Sequence, residues 1–237
     1  MKHTICTGLL SDSVNVSVVG CGGTGSMILS GLARLHLSMI ALGHPGGLMV
    51  TAYDPDNVSE ANVGRQLFWP GDVGTNKATA LINRLNVGFR LDWRAMPEKH
   101  DGIFSSDIVI GCVDSRASRL EIREQLMRTG LYYLDCGNSA DFGQVLIGDG
   151  KQLPYPWQTC PELIDTSIPE DNTPSCSLAE ALGSQELFIN QAVATCALQL
   201  LWSLFRHGGL DHRGYYINLK TGRTLPVAIE DKGKRKK

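Results

Sequence analysis

Asn15-Val16-Ser17-Val18-Val19, followed at once by Gly20-Cys21-Gly22-Gly23-Thr24-Gly25, decides the fold. The first five residues read as a short buried strand. A helical run follows the glycines, from Ser26 to about Leu42. A second apolar strand, Leu48 to Tyr53, ends in Asp54-Pro55-Asp56. Strand, glycine loop, helix, strand, acid is the layout of a nucleotide-binding βαβ unit. Glycines leave no Cβ between backbone N–H groups and a phosphate. The helix N-terminus adds a partial positive charge. Asp54, just past the second strand, is placed to accept hydrogen bonds from ribose hydroxyls.

The following block narrows the chemistry. Asp54-Pro55-Asp56-Asn57-Val58-Ser59-Glu60-Ala61-Asn62-Val63-Gly64-Arg65-Gln66 clusters carboxylates, amides and an arginine, and Lys77 comes soon after. A dinucleotide carries a pyrophosphate diester that glycine amides and a helix end can largely neutralise. A triphosphate carries more charge, and catalysis on it calls for Arg, Lys and a metal ion. The block therefore points to ATP rather than NAD. For Arg65 and Lys77 the alternative is ordinary surface charge.

Further along, Thr75 to Asn86 reads as a helix. Phe89, Leu91 and Trp93 alternate with Arg90, Asp92 and Arg94, which predicts a strand. Asp107 to Cys112 is a near-continuous apolar strand, as in a sheet covered on both faces. A helix is expected from about Ser115 to Thr129, then strands over Leu131–Cys136 and Gly143–Ile147. Leu153 to Pro174 is rich in proline and reads as an irregular crossover. A long helix is expected from about Leu178 to His207, with Leu187, Phe188, Ala192, Val193, Cys196, Leu200, Leu201 and Leu204 on a broad buried face. Tyr215–Leu219 and Thr224–Ile229 flank a turn at Lys220-Thr221-Gly222-Arg223 and read as an antiparallel hairpin. Strands alternating with helices predict an α/β, Rossmann-like fold with a mostly parallel sheet, extended by a C-terminal long helix and the hairpin. Residues 1–150 form the nucleotide-binding core. Residues 151–230 complete the same domain, and residues 231–237 read as a basic disordered tail.

Composition sets the remaining bounds. The chain has 237 residues, 43% of them apolar and 19% charged, with a net charge of −2. That supports a real core and disfavours a dominant nucleic-acid role. Met1 to Leu10 has no long apolar core, and no apolar run reaches a bilayer span, so a soluble, cytoplasmic protein without membrane partners is expected. Seven cysteines form no C-x-x-C pair, so no zinc site is expected. Cys21, Cys112 and Cys136 lie in or beside apolar strands and read as small core residues.

Ligands of open α/β sheets sit beyond the C-terminal strand ends, at the switch point. Asp114 follows the strand ending at Cys112 and so faces the phosphates. A carboxylate there suits Mg²⁺ bound between it and the phosphate oxygens. The alternative is N-capping of the helix that follows. Arg119 is a candidate to anchor the Asp114 loop by a salt bridge.

Gly20-x-Gly22-Gly23-x-Gly25-Ser26, Asp54-x-Asp56, Asn62-x-x-Arg65-Gln66, Lys77, and Asp114 with Arg119 resemble, as a set, the E1-like ThiF/MoeB superfamily of ATP-dependent activators of ubiquitin-like and sulfur-carrier proteins. The second half looks more like the bacterial PRTRC-system ThiF-family subgroup, in Pro174-Ser175-Cys176-Ser177-Leu178-Ala179-Glu180-Ala181-Leu182 and Leu187-Phe188-Ile189-Asn190. The resemblance implies attack of a carrier's C-terminal glycine carboxylate on the ATP α-phosphate. It implies that Asp54 holds the ribose, that Asp56, Asn62, Arg65, Gln66 and Lys77 surround the phosphates, and that Asp114 binds Mg²⁺. Arg65, Lys77 and Asp114 would be catalytic. It also implies a homodimer, a small β-grasp carrier as partner and an E2-like protein downstream. In relatives that transfer their cargo, a cysteine after the core takes the acyl group. Cys176, just before a capping-box sequence Ser177-Leu178-Ala179-Glu180, is the first candidate, and Cys160 is the second. The family's zinc-binding cysteine pairs and its Arg-Tyr-x-Arg-Gln arm have no counterpart here, which leaves a second phosphate-binding arginine unassigned. Ala41 to Gly47 is read as an extra segment lengthening the connection near the nucleotide. Competing readings are an NAD-dependent oxidoreductase, a non-catalytic E1-like partner-binding protein, and a tRNA-modifying relative.

Overall fold

The computed structural model describes residues 2–100, 105–127, 131–170 and 177–230. In chain order the strands are β1 (His3–Thr4), β2 (Val14–Val19), β3 (Leu48–Tyr53), β4 (Arg94–Met96), β5 (Ile108–Gly111), β6 (Tyr132–Asn138), β7 (Phe142–Gly148), β8 (Gly209–Leu210), β9 (His212–Asn218) and β10 (Arg223–Ala228). The helices are α1 (Gly23–Ala41), α2 (Lys77–Phe89), α3 (Arg116–Leu126), α4 (Pro156–Thr159), α5 (Leu178–Ser184) and α6 (Ile189–His207). Eight strands form one sheet in the order β10-β9-β7-β6-β5-β2-β3-β4, while β1 and β8 make a separate antiparallel pair. From β6 to β4 every pairing is parallel; β7, β9 and β10 extend the sheet antiparallel.

Alternation along the strands divides the core. Val16, Val18, Ile108, Ile110, Leu134, Val145 and Ile217 face one layer, which they share with apolar residues of α1, α2 and α6. Val109 and Tyr133 face the other, with Ile122 and Leu126 of α3 and Trp157 of α4. The central strands are apolar on both faces because helices cover both. α1 and α6 lie against each other at Gly31, where a Cβ would collide with the Leu198 side chain.

Four sequence expectations are corrected. α2 runs on to Phe89 and ends on Arg90, whose φ of 57° is the left-handed cap. Trp93 is pinned by the Asn86 side chain on both its N–H and its carbonyl, so β4 begins only at Arg94. The expected long C-terminal helix is two helices, α5 and α6, broken at residues 185–188. Gly183 and Ser184 are weak helix formers. The Glu186 N–H leaves the helical path to bond the Ala140 carbonyl at 2.8 Å. Leu187 and Phe188 are therefore exposed rather than core. Residues 41–47 sit at the far end of α1 from the glycine loop, where His44 packs edge-on against Phe205. They are therefore not beside the glycine loop. The C-terminal hairpin forms as expected, as β9 and β10.

Candidate functional site

The chain runs outward from β2 to β3 and β4, then returns to the other side of β2 as β5. At that reversal the C-terminal strand ends leave a crevice of about 380 Å³, within the range of small-molecule sites. Of the residues singled out from sequence, it is lined by Gly20, Gly22, Gly23, Asp54, Asp56, Arg65, Gln66, Lys77, Asp114 and Arg119.

The glycine loop is shaped by close approaches. Gly20 has φ +91°, and a Cβ there would stand 2.6 Å from the Cys112 carbonyl oxygen. A Cβ on Gly25 would fall on the Gly20 carbonyl oxygen, so Gly25 lets the loop fold back on itself. α1 begins at Gly23 with Gly22 as N-cap and no side-chain cap, which leaves first-turn N–H groups for a ligand or water. The Ser26 hydroxyl donates to the Gly23 carbonyl at 3.0 Å and accepts from the Leu67 N–H at 3.2 Å. It ties the glycine loop to the segment carrying Arg65.

Asp54 is buried. Its carboxylate accepts the Cys21 N–H at 2.6 Å and the Asp56 N–H at 2.9 Å. Burial raises its pKa, against the pull of the Cys21 N–H and the Lys77 charge. Lys77, at the start of α2, pairs with Asp56 at 2.9 Å. Asn76 caps α2 by accepting the Thr79 N–H, and its amide donates to the carbonyls of Asp54 and Asp56 at 2.7 and 3.0 Å. That amide locks the acidic loop to the lysine.

Arg65 forms no ion pair among the described residues. Its Nη1 donates to Gln185 Oε1 at 3.3 Å, while its Nε is buried without a partner. Burial pushes its guanidinium pKa down. Gln66 is also buried, with Oε1 unpartnered. Asn62 does not line the crevice: its Oδ1 accepts the Ser59 N–H at 3.0 Å and caps the short turn Glu60–Asn62.

Asp114 is exposed at the mouth of the crevice. Capping of α3 falls to Ser115, which accepts the Ser118 N–H at 3.1 Å, so Asp114 is left free of that duty. Arg119 does anchor the loop, but through the main chain: Nη1 donates to the Asp114 carbonyl at 3.3 Å. Its salt bridge is to Asp135 of β6, at 3.0 Å, with both groups buried. Burial alone would lower the Arg119 pKa, but the negative charges of Asp135 and Glu170 and the hydrogen bond to Asp135 outweigh it and hold the guanidinium above its usual value. The Tyr133 hydroxyl donates to the same Asp135 oxygen at 2.9 Å.

Sequence reasoning missed Asp135, Asn138, Gln185 and Asn190. Asp135 had a signal, a lone charge inside an apolar strand, which demands a buried partner. The amides had none. The Thr24 hydroxyl shares its one proton between Asn138 Oδ1 at 3.2 Å and Asn190 Oδ1 at 3.0 Å, and Asn190 Nδ2 donates to Gln185 Oε1 at 3.0 Å. The break between α5 and α6 thus wires Arg65 to the glycine loop. Cys21 and Cys136 are buried and Cys112 is partly so. Cys160 lies outside the crevice. Cys176 and the basic tail lie outside the described residues. Among the described residues no group of three or more His, Cys, Asp or Glu is arranged to hold a metal ion, and no helix is long and apolar enough to cross a membrane.

The sequence model of the ThiF family matches residues 10–232, and the chain belongs to that family. It is similar to ubiquitin-like modifier-activating enzyme 5 of Oryza sativa subsp. japonica, 25% identical over 54% of this chain and 32% of that protein. It is also similar to SUMO-activating enzyme subunit uba-2 of Caenorhabditis elegans, 26% identical over 69% of this chain and 27% of the relative. The chain thus spans about a third or less of these relatives' length. The crystal structure of selenomethionine PaaA shares the fold, with a TM-score of 0.61 at 15% identity, over 91% of this chain and 64% of that one.

Proposed function

We propose that this chain is an E1-like adenylyltransferase that uses ATP and Mg²⁺ to activate the C-terminal glycine of a small ubiquitin-like or sulfur-carrier protein. The observation that carries the reading is Arg65: a cation held in the crevice with no carboxylate partner among the described residues, its Nε buried and unpartnered, beside a glycine loop and Lys77. A phosphate oxygen would complete it. The two relatives named as activating enzymes support the same class.

Asp54 would take the ribose hydroxyls. The glycine-loop amides, Arg65, Gln66 and Lys77 would surround the phosphates. Asn62, turned into its own cap, would act on them only indirectly, by shaping the loop that presents Arg65. Asp114 would hold Mg²⁺, which when bound neutralises phosphate charge. The carrier carboxylate attacks the α-phosphorus, the bond to the bridging oxygen of pyrophosphate breaks, and acyl-adenylate and pyrophosphate result. Charge grows on the α-phosphoryl oxygens and on the leaving group, where Arg65 and Lys77 stabilise it. A carrier partner, an E2-like acceptor, a homodimer and a cytoplasmic setting belong to this proposal. So does the PRTRC-type subgroup, which rests on the motifs at 174–182 and 187–190. A lone Rossmann-like crevice would equally admit NAD, but that leaves Arg65 and Asp114 without a task.

Calorimetric titration with ATP·Mg²⁺ and with NAD tests the reading. ATP should bind the more tightly, and Asp114→Ala should weaken the Mg²⁺-dependent part of that binding while leaving the thermal midpoint unchanged. Tighter binding of NAD would overturn it.

A further inference from the structure

The break between α5 and α6 sets one side chain, Gln185, against Arg65. α5 packs on the turn Glu60–Asn62, which leads into Arg65. The chain then leaves α5 by clamping onto the turn between β6 and β7. Gln185 Nε2 donates to the Ser139 carbonyl at 3.3 Å, and the Glu186 N–H donates to the Ala140 carbonyl at 2.8 Å. Gln185 Oε1 accepts twice, from Arg65 Nη1 at 3.3 Å and from Asn190 Nδ2 at 3.0 Å. Asn190 is only 3% exposed, and its own oxygen accepts from the Thr24 hydroxyl at 3.0 Å. With an acceptor at its nitrogen and two donors at its oxygen, the Gln185 amide is oriented from both ends.

The amide holds Arg65 without cancelling it. Glutamate has nearly the same shape, and a carboxylate at position 185 would close an ion pair on the guanidinium. The neighbouring carboxylate, Glu186, is exposed and makes no salt bridge among the described residues. Arg65 therefore keeps its charge for a ligand, although burial lowers its pKa. A guanidinium binds a phosphate best along one edge, by two parallel N–H bonds. Nη1 is taken by Gln185. The Nε–Nη2 edge remains, with Nε buried and unpartnered. Arg65, Gln185 and Asn190 all line the crevice with Gly22, Gly23 and Lys77.

We propose that Gln185 is a positioning residue for phosphate binding: its neutral amide fixes Nη1 of Arg65 and presents the Nε–Nη2 edge to a pyrophosphate group with the positive charge uncancelled. This role rests on the adenylation reading only through Arg65 as a phosphate ligand. Holding the arginine in place beforehand removes the rotamer entropy that a loose side chain would lose on binding. An acidic residue at 185 would trade ligand affinity for an internal ion pair. An apolar one would leave Arg65 charged but unaimed.

Inorganic pyrophosphate with Mg²⁺ is the probe, because ATP and NAD both contain that group. Adenosine is the control for general damage to the crevice. Both are titrated calorimetrically into the full chain. Gln185→Glu should weaken pyrophosphate binding about tenfold or more, the loss of one charge-assisted contact. Its thermal midpoint should lie at or above the parent's, and its adenosine affinity should be unchanged. Gln185→Met keeps the volume but has no acceptor. It should weaken pyrophosphate binding about threefold to fivefold in the parent, and not at all in an Arg65→Ala background. A merely structural role would lower the affinity in either background. Unchanged pyrophosphate affinity in Gln185→Glu would overturn the proposal even if Gln185→Met fails to fold. So would an equal loss in both backgrounds, an equal loss of adenosine binding, or a parent chain that binds no pyrophosphate. The ATP and NAD titrations on the same preparation separate the two readings. ATP bound with pyrophosphate indifferent to residue 185 sinks only this one. NAD bound more tightly than ATP, with the effect of residue 185 intact, sinks only the adenylation reading.

Discussion

Burial presses Arg65 and Asp54 toward their neutral forms from opposite sides, lowering the pKa of one and raising that of the other. Arg65 has no carboxylate partner among the described residues, so removing it should relieve the fold while damaging the site. Arg65→Ala is expected to weaken ATP binding about tenfold or more, the worth of one charge-assisted hydrogen bond, with a thermal midpoint equal to or above the parent's. Calorimetry and thermal unfolding on the same samples check both halves. Asp54 gives a pH signature. Its folded pKa lies above the ordinary value of 3.8, so between those two values the folded state holds more protons than the unfolded one. Stability therefore falls as pH rises through that window. The stability difference between the parent and Asp54→Asn, measured from pH 3.5 upward, should decline across it and then level off. A difference that is flat or rises with pH would show that burial does not dominate at Asp54. At this scale the gathering of Asp54, Arg65 and Lys77 at one crevice was legible, because it follows from nearness to a glycine loop. Asn62 was placed among them by the same nearness, yet its side chain is consumed by a cap three residues back.

Helix and strand ends do the positioning. The start of α1 is crowded by the start of α6: a Cβ on Gly23 would stand 2.6 Å from Asn190 Oδ1. Gly23→Ala should therefore destabilise the protein. Asn190→Ala clears the space, so the double variant should recover part of the loss. A coupling of about 0.5–3 kcal/mol is expected from a double-mutant cycle in urea, and strict additivity would mean that the clash is relieved elsewhere. α3 is tied to β6 by the buried Arg119–Asp135 pair. Arg119→Met alone strands a buried carboxylate and should cost about 3–5 kcal/mol, whereas adding Asp135→Asn should cost less than that single change. Equal losses in the two variants would show that the stranded charge is not what hurts. Neither partner choice could be read locally. α3 was expected from its own pattern, but nothing in that pattern names a strand residue as its counter-ion.

One core joins the two halves of the chain. Residues of α1 and of α6 belong to the same buried cluster, and Gly31 admits Leu198 where the helices touch. Residues 1–150 and the C-terminal extension should accordingly unfold together. Scanning calorimetry is expected to show one transition whose calorimetric and van't Hoff enthalpies agree. Gly31→Val should lower its midpoint by overpacking, at a cost of about 1–3 kcal/mol, without splitting it. Two resolved transitions would make residues 151–230 a separate unit.

What this sequence determined by itself was the βαβ unit, the α/β class, the terminal hairpin and most of the charged residues that gather at the crevice. Each of these is written in short range: a period of two or of 3.6, a glycine where no Cβ fits, a charge a few residues past a strand. Only the tertiary structure decided where α2 stops, that the last long helix breaks at residues 185–188, that Arg119 answers to Asp135, and that Asn138, Gln185 and Asn190 join the crevice. Thr24 meets Asn138 across 114 residues of chain and Asn190 across 166. Pairings at that separation are selected by how sheet and helices pack and by the need to satisfy buried polar groups, and no local pattern encodes them.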